Sequence, residues 1–136
     1  MSRSAVDLIH QWLGASPFVQ RLGMRVDKLE PDLAVITLPF NATNTTIADV
    51  VHGGALSALI DTAATGAAWA GAEDTTTVRG TTIGLTVNFV GAARGQDVTA
   101  TAHVARRGST IVFVDVEAAG ADGTLVAKAL VTYKLG

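Results

Sequence analysis

The spacing of apolar residues changes period along the 136-residue chain. From Ser4 to Leu13 it is helical, with Val6, Ile9 and Leu13 roughly on one face. Ser4 with Asp7 three residues later is a capping pattern, and Gly14 is expected to end the run. Ser16-Pro17 predicts a second short helix that Gly23 closes. From Met24 the period becomes that of strands, over 24–29 and 33–39, with Glu30-Pro31-Asp32 as the turn between them. Gly53-Gly54 then opens roughly 17 residues of helical pattern, apolar nearly all round, which must therefore be enclosed. Gly66 weakens that helix but leaves room for a close neighbour.

After Gly71 the chain reads as strand to its end. Over 81–89, Ile83, Leu85, Val87 and Phe89 alternate with Thr82, Gly84, Thr86 and Asn88, so the two sets are expected on opposite faces. Further strands are expected at 96–106, 110–119 and 124–135, separated by Gly91–Gly95, Arg107-Gly108-Ser109 and Gly120–Gly123. Turns at such regular spacing predict consecutive antiparallel hairpins. One curved antiparallel sheet wrapped around the long helix satisfies both halves of the pattern, an α+β architecture. The chain is expected to be a single domain, with 1–22 as an N-terminal helical lid and 23–136 as the core.

Composition narrows the chemistry. The chain is 49% hydrophobic and 16% charged with a formal net charge of −2, which argues for a globular domain and against nucleic-acid binding over its whole surface. It has no cysteine, so thiolate catalysis and Cys-ligated metals are excluded. No apolar stretch reaches membrane-span length because Asp61 breaks the longest one, and no signal core precedes residue 8, so a cytoplasmic location is the expectation. Metal-ligand spacings, a nucleophile elbow and a phosphate loop are all absent, and no cofactor is expected.

Within Val50–Ala70, "VVHGGALSALIDTAATGAAWA", the only ionisable groups are His52 and Asp61. A carboxylate in such a setting is expensive unless hydrogen-bonded or paired. Asp61 lies seven residues after Gly54, hence nearly on the same helix face. The first backbone N–H groups of the helix lack intrahelical partners, and two glycines would let a substrate oxygen approach them closely. Such donors suit a carbonyl that becomes an oxyanion when attacked. His10 and His103 look incidental.

These residues, together with "TVNFVGAARGQDVTATAHVARRGSTIVFVDVEAAGADGTLVAKALVTYKLG", resemble the hot-dog-fold acyl-CoA thioesterases, in the PaaI-like branch of the 4-hydroxybenzoyl-CoA thioesterase superfamily. The resemblance runs over about residues 17–135 and rests on His-Gly-Gly with an Asp nine residues after the His, the strand ending in Asn88-Phe89, and the Arg-Arg-Gly turn. It implies a sheet wrapped around the long helix and homodimers joined edge to edge with shared active sites, which pair into dimers of dimers. It implies Asp61 as the carboxylate that activates water or attacks the thioester, and the Gly53 N–H as the donor to its carbonyl. His52 would shape that loop, and Thr82, contributed by the partner's strand, would hold the water. Gly54 and Asn88 would line the substrate site, while Arg106, Arg107, Gly108 and Ser109 would meet the phosphates of coenzyme A.

The chain departs from that pattern at two positions: Thr46 and Asp49 stand where the family usually has Asn and Gly. Asn44 is two residues out of register and could substitute only if the loop bulges. Two other readings remain open. A hot-dog hydratase or dehydratase would carry an Asp followed by a His, or a His in a proline-rich loop, and neither is present. A non-catalytic acyl-thioester binder draws its support from the replaced Asn.

Overall fold

The computed structural model describes residues 4–136. Helix α1 runs Ala5–Ala15 and α2 runs Pro17–Leu22. Ser4 caps α1 by accepting from the Asp7 N–H, and Ser16 caps α2 in the same way from Val19. Gly14 does not stop α1; it lies in the last turn, and Ser16 ends the helix. Gly23 closes α2 at φ 69°, a left-handed conformation that suits glycine.

Strands β1 (Arg25–Glu30) and β2 (Leu33–Leu38) form a hairpin through Asp32. A short 3₁₀ turn (Ala42–Asn44) leads to α3, Gly53–Ala70. Then come β3 (Gly80–Phe89), β4 (Val98–Arg107), β5 (Ile111–Gly120) and β6 (Leu125–Leu135). All six strands make one antiparallel sheet in the order β1-β2-β4-β5-β6-β3. Helix α3 fills its concave side. Leu56, Leu59, Ile60, Ala63, Ala64, Ala67 and Ala68 are buried against Ala34, Ile36, Ala100, Ala102, Val114, Val116 and Val131. Small residues on both surfaces let helix and sheet approach closely, which is why so few aromatics are needed. At Gly66 an added Cβ would lie 3.2 Å from Leu13 and 3.4 Å from Ala34.

The expected chain of hairpins holds for β4-β5-β6 but not for β3-β4. β3 pairs with β6 at one edge, while β4 pairs with β2. The connection between them crosses beneath the start of α3, where Val51 N–H donates to Ala93 and Gly95 N–H to Asp49. Buried Ala93 and the Asp49–Arg94 ion pair at 3.7 Å anchor this crossing, so it is a packed connection and not a hairpin turn. Strand β4 also begins two residues later than expected. Asp97 is committed to the Phe40 N–H and Gln96 to the Asp122 N–H, in loop contacts.

A second difference bears on function. β3 pairs Thr82 with Tyr133 but Gly84 with Thr132, so Ile83 is an extra residue in a bulge. Opposite residues in an antiparallel ladder share a face. Tyr133, Val131 and Ala127 face the helix, and with them Thr82, Leu85 and Phe89. The expected separation of Thr82 from the Leu85, Val87 and Phe89 face is therefore wrong: the bulge shifts the phase, and Thr82 faces inward with them while Gly84, Thr86 and Asn88 face outward.

Candidate active site

Asp61 projects from the middle of α3, half-buried, toward β3. Thr82 Oγ1 donates to Asp61 Oδ1 at 2.6 Å, and among the described residues this is the carboxylate's single hydrogen bond. Among the described residues Oδ2 has no partner, and no Lys, Arg or His ion-pairs with Asp61. The hydroxyl and the carboxylate come from one chain, whereas the family resemblance implied a Thr from the partner's strand. The bulge at Ile83 makes this possible by turning Thr82 to the helix.

Tyr133, opposite Thr82 in the register, borders the same spot. Its buried hydroxyl accepts from Trp69 Nε1 at 2.7 Å. Burial pushes its phenol up; the Trp69 bond opposes this, and nearby Asp61 adds to the rise, so the phenol stays neutral beside the carboxylate. Sequence reasoning missed Tyr133, because its place depends on a pairing between strands that are not consecutive.

The start of α3 is built around His52. His52 is the N-cap, and its Nδ1 accepts from the Gly54 N–H at 2.7 Å. Its carbonyl accepts from Ala55 and Leu56, and its own N–H donates to the Asn44 carbonyl at 2.8 Å. The Gly54 N–H is therefore occupied, while the Gly53 N–H has no acceptor among the described residues. Phe89, the last residue of β3, stands against Gly53, with its ring 3.4 Å from where a Cβ would be. An N–H with no protein partner at the positive end of a helix dipole is suited to a ligand oxygen.

Within one chain, however, Gly53 and Asp61 are far apart. Eight residues of α-helix separate them by about 12 Å along the axis. One thioester carbonyl cannot touch the Gly53 N–H while a water held on the same chain's Asp61 attacks it.

The replaced family positions also find places here. Thr46 is exposed in a tight loop closed by the Thr45–Val51 bridge. Asn44, not Thr46, lies beside His52 and Gly54, in a recess of about 210 Å³ also lined by Phe18, Leu22, Thr43, Thr45 and Ala55. Asp49 is engaged with Arg94 and the Gly95 N–H, which gives it a structural partner in the β3–β4 connection.

Of the remaining expected residues, Arg107, Gly108 and Ser109 line one recess, but that recess does not include Asp61. Asn88 pairs with Lys128 on the outer face of the sheet, away from Asp61. Arg107 donates to Asp32 at 2.7 Å and to the Ala68 carbonyl at 2.8 Å, tying the end of α3 to the β1–β2 turn. Gly108 and Ser109 line a recess of about 440 Å³ at that end, together with Glu73 and Asp74. Hydrogen bonds from Thr77 and Thr76 hold the Asp74 carboxyl far below its usual range, so this recess is partly acidic. Arg106 is exposed and has no ion-pair partner among the described residues. No helix there is long and apolar enough to cross a membrane, and no group of three His, Asp or Glu side chains gathers as metal ligands.

Comparison with known proteins agrees with this architecture. Residues 48–127 match the sequence model of the thioesterase superfamily. A Saccharolobus solfataricus protein provisionally named an esterase is 33% identical over 111 residues, covering 80% of this chain and 76% of the relative. The fold superposes on a thioesterase family protein from Silicibacter pomeroyi with a TM-score of 0.90 at 24% identity, over 97% of this chain and 98% of that one. A hypothetical thioesterase of Streptococcus pneumoniae, solved with coenzyme A, aligns with a TM-score of 0.74 at 20% identity, over 83% and 85% of the two chains.

Proposed function

Since the chain belongs to the thioesterase superfamily, we propose that it hydrolyses acyl-CoA thioesters to a free acid and coenzyme A. The observation that carries this reading is the half-buried Asp61 carboxylate, which among the described residues is held by Thr82 alone and is free at its second oxygen. In one route Asp61 takes a proton from water as the water oxygen attacks the thioester carbonyl. The carbonyl oxygen becomes an oxyanion against the Gly53 N–H. The C–S bond then breaks, and the proton passes to the departing thiolate. In the other route a carboxylate oxygen attacks directly and the C–S bond breaks, expelling the thiolate and giving a mixed anhydride that water then opens. In ¹⁸O-water under single turnover, label appearing in Asp61 would exclude the first route.

The roughly 12 Å between Gly53 and Asp61 supports a site completed by a second copy, with Gly53 of one protomer facing Asp61 and Thr82 of the other. The two sheet edges support the same arrangement. β1 carries Arg25, Asp27, Lys28 and Glu30, charges that discourage pairing, whereas ten-residue β3 carries none. Joining β3 edges would also cover Ile83, Leu85, Phe89 and Val90, all exposed in the single chain. Coenzyme A as the thiol carrier draws support from the fold neighbour solved with that ligand. Arg106, without an ion-pair partner among the described residues, is the cation of the Arg-Arg-Gly turn proposed for its phosphates; Arg107 is already committed.

The test is free-thiol release from short, long and aromatic acyl-CoAs. Turnover on at least one of them supports the reading. Binding without thiol release on every member replaces it with a non-catalytic binder.

A further inference from the structure

We infer that His52 is a positioning residue whose ring selects which backbone N–H at the start of α3 is left for substrate. The inference rests on the proposed thioester hydrolysis for its kinetic consequences, though its structural basis stands apart from activity.

The order of the His-Gly-Gly triplet follows from contacts. His52 Nδ1 is the acceptor in a 2.7 Å bond from Gly54, so in the neutral ring the proton sits on Nε2. The ring lies where a side chain at residue 54 would go: a Cβ there would be 2.9 Å from Nδ1 and 3.0 Å from Cε1. Gly54 is thus required by the imidazole beneath it. Gly53 meets an ordinary contact with Phe89, so its lack of a side chain leaves its N–H approachable. With the Gly54 N–H taken by the ring, and the Ala55 and Leu56 N–H groups by the His52 carbonyl, Gly53 is the one donor of the first turn without an acceptor among the described residues. The main-chain bond from His52 to Asn44 pins the ring's own backbone.

The experiment pairs kinetics with NMR. His52→Ala should lower kcat about tenfold with little change in KM, the order expected when an oxyanion donor is loosened but not deleted. In His52→Asn the amide oxygen occupies the place of Nδ1 as an acceptor for the Gly54 N–H, so this variant should recover most of kcat. In the ¹⁵N-labelled wild type, the His52 side chain should give the Nε2–H tautomer. The opposite tautomer, or a His52→Asn variant no more active than His52→Ala, would overturn the inference. Absence of turnover in the wild type alongside the expected NMR signals would instead sink the proposed hydrolysis and leave the cap assignment standing.

Discussion

Among the described residues the half-buried carboxylate of Asp61 receives one hydrogen bond, and that sparseness is the ground for proposing it as a working group. A carboxylate retained to stabilise the fold would have both oxygens satisfied. Asp61→Asn is accordingly expected to fold, with a melting temperature within a few degrees of wild type, while thiol release drops at least 10³-fold. A large drop in melting temperature would indicate a structural acid instead. Thr82→Val should retain the fold and lower kcat by roughly tenfold through loss of one charge-assisted bond to Asp61; unchanged kcat would remove Thr82 from the site. The chemistry-bearing residue types were legible in the sequence because an acid inside an otherwise apolar helical run has few explanations. Their partners were less so. Thr82 was placed on the wrong face of β3, since a single extra residue at Ile83 reverses strand phase without leaving a compositional trace. Asn88 and Arg107 were assigned to substrate, yet one faces outward and the other ties α3 to the β1–β2 turn.

At the scale of elements, α3 was predicted almost to the residue, because glycines bound it and its apolar surface is continuous. The β3–β4 connection was not, because a Gly-rich loop between two strands reads the same whether it turns back or crosses the sheet. What distinguishes the crossing is the burial of Ala93 and the bonds to Val51 and Asp49, which are tertiary facts. The close approach of α3 to the sheet makes its small residues demanding. Ala67→Leu would insert a branched side chain where exposure is 0%, and is expected to cost at least about 1–3 kcal/mol of stability, seen as a lower denaturant midpoint. Gly53→Pro offers a sharper probe of the helix start. Proline is well tolerated at this first helical position, and His52 already has the extended backbone that precedes proline, at φ −63° and ψ 134°. The substitution deletes the free N–H and little else, so it should leave folding intact and reduce kcat about 10²–10³-fold.

On the whole molecule, the contrast between the charged β1 edge and the uncharged β3 edge is the ground for proposing that copies join through β3. Leu85→Lys places a charge at the middle of β3 and should shift the chain toward monomer in sedimentation while abolishing thiol release. A monomer retaining full activity would show that each chain is self-sufficient. Stability should fall at both ends of the pH range. Burial pushes Asp27 up, but hydrogen bonds from Thr37 and Arg25 outweigh it and hold the carboxyl below its ordinary value. The stability this gives is present above about pH 4 and is lost as pH falls below it, when the native state must take up a proton. Tyr133 is raised by burial, so its contribution is present below its ordinary value and lost as pH climbs past about 10. Chemical denaturation across pH checks both, and Asp27→Asn should flatten the acid limb.

The central claim, that Asp61 of one protomer works with the Gly53 N–H of another, is tested most directly by complementation. Asp61→Asn and Gly53→Pro chains, each inactive alone, are mixed, unfolded and refolded together, and thiol release is measured. In a mixed dimer one of the two sites receives both an intact Asp61 and an intact Gly53. Random pairing should therefore restore about a quarter of wild-type activity. No recovery, with both variants shown to be folded and mixed dimers shown to form, would contradict the shared site.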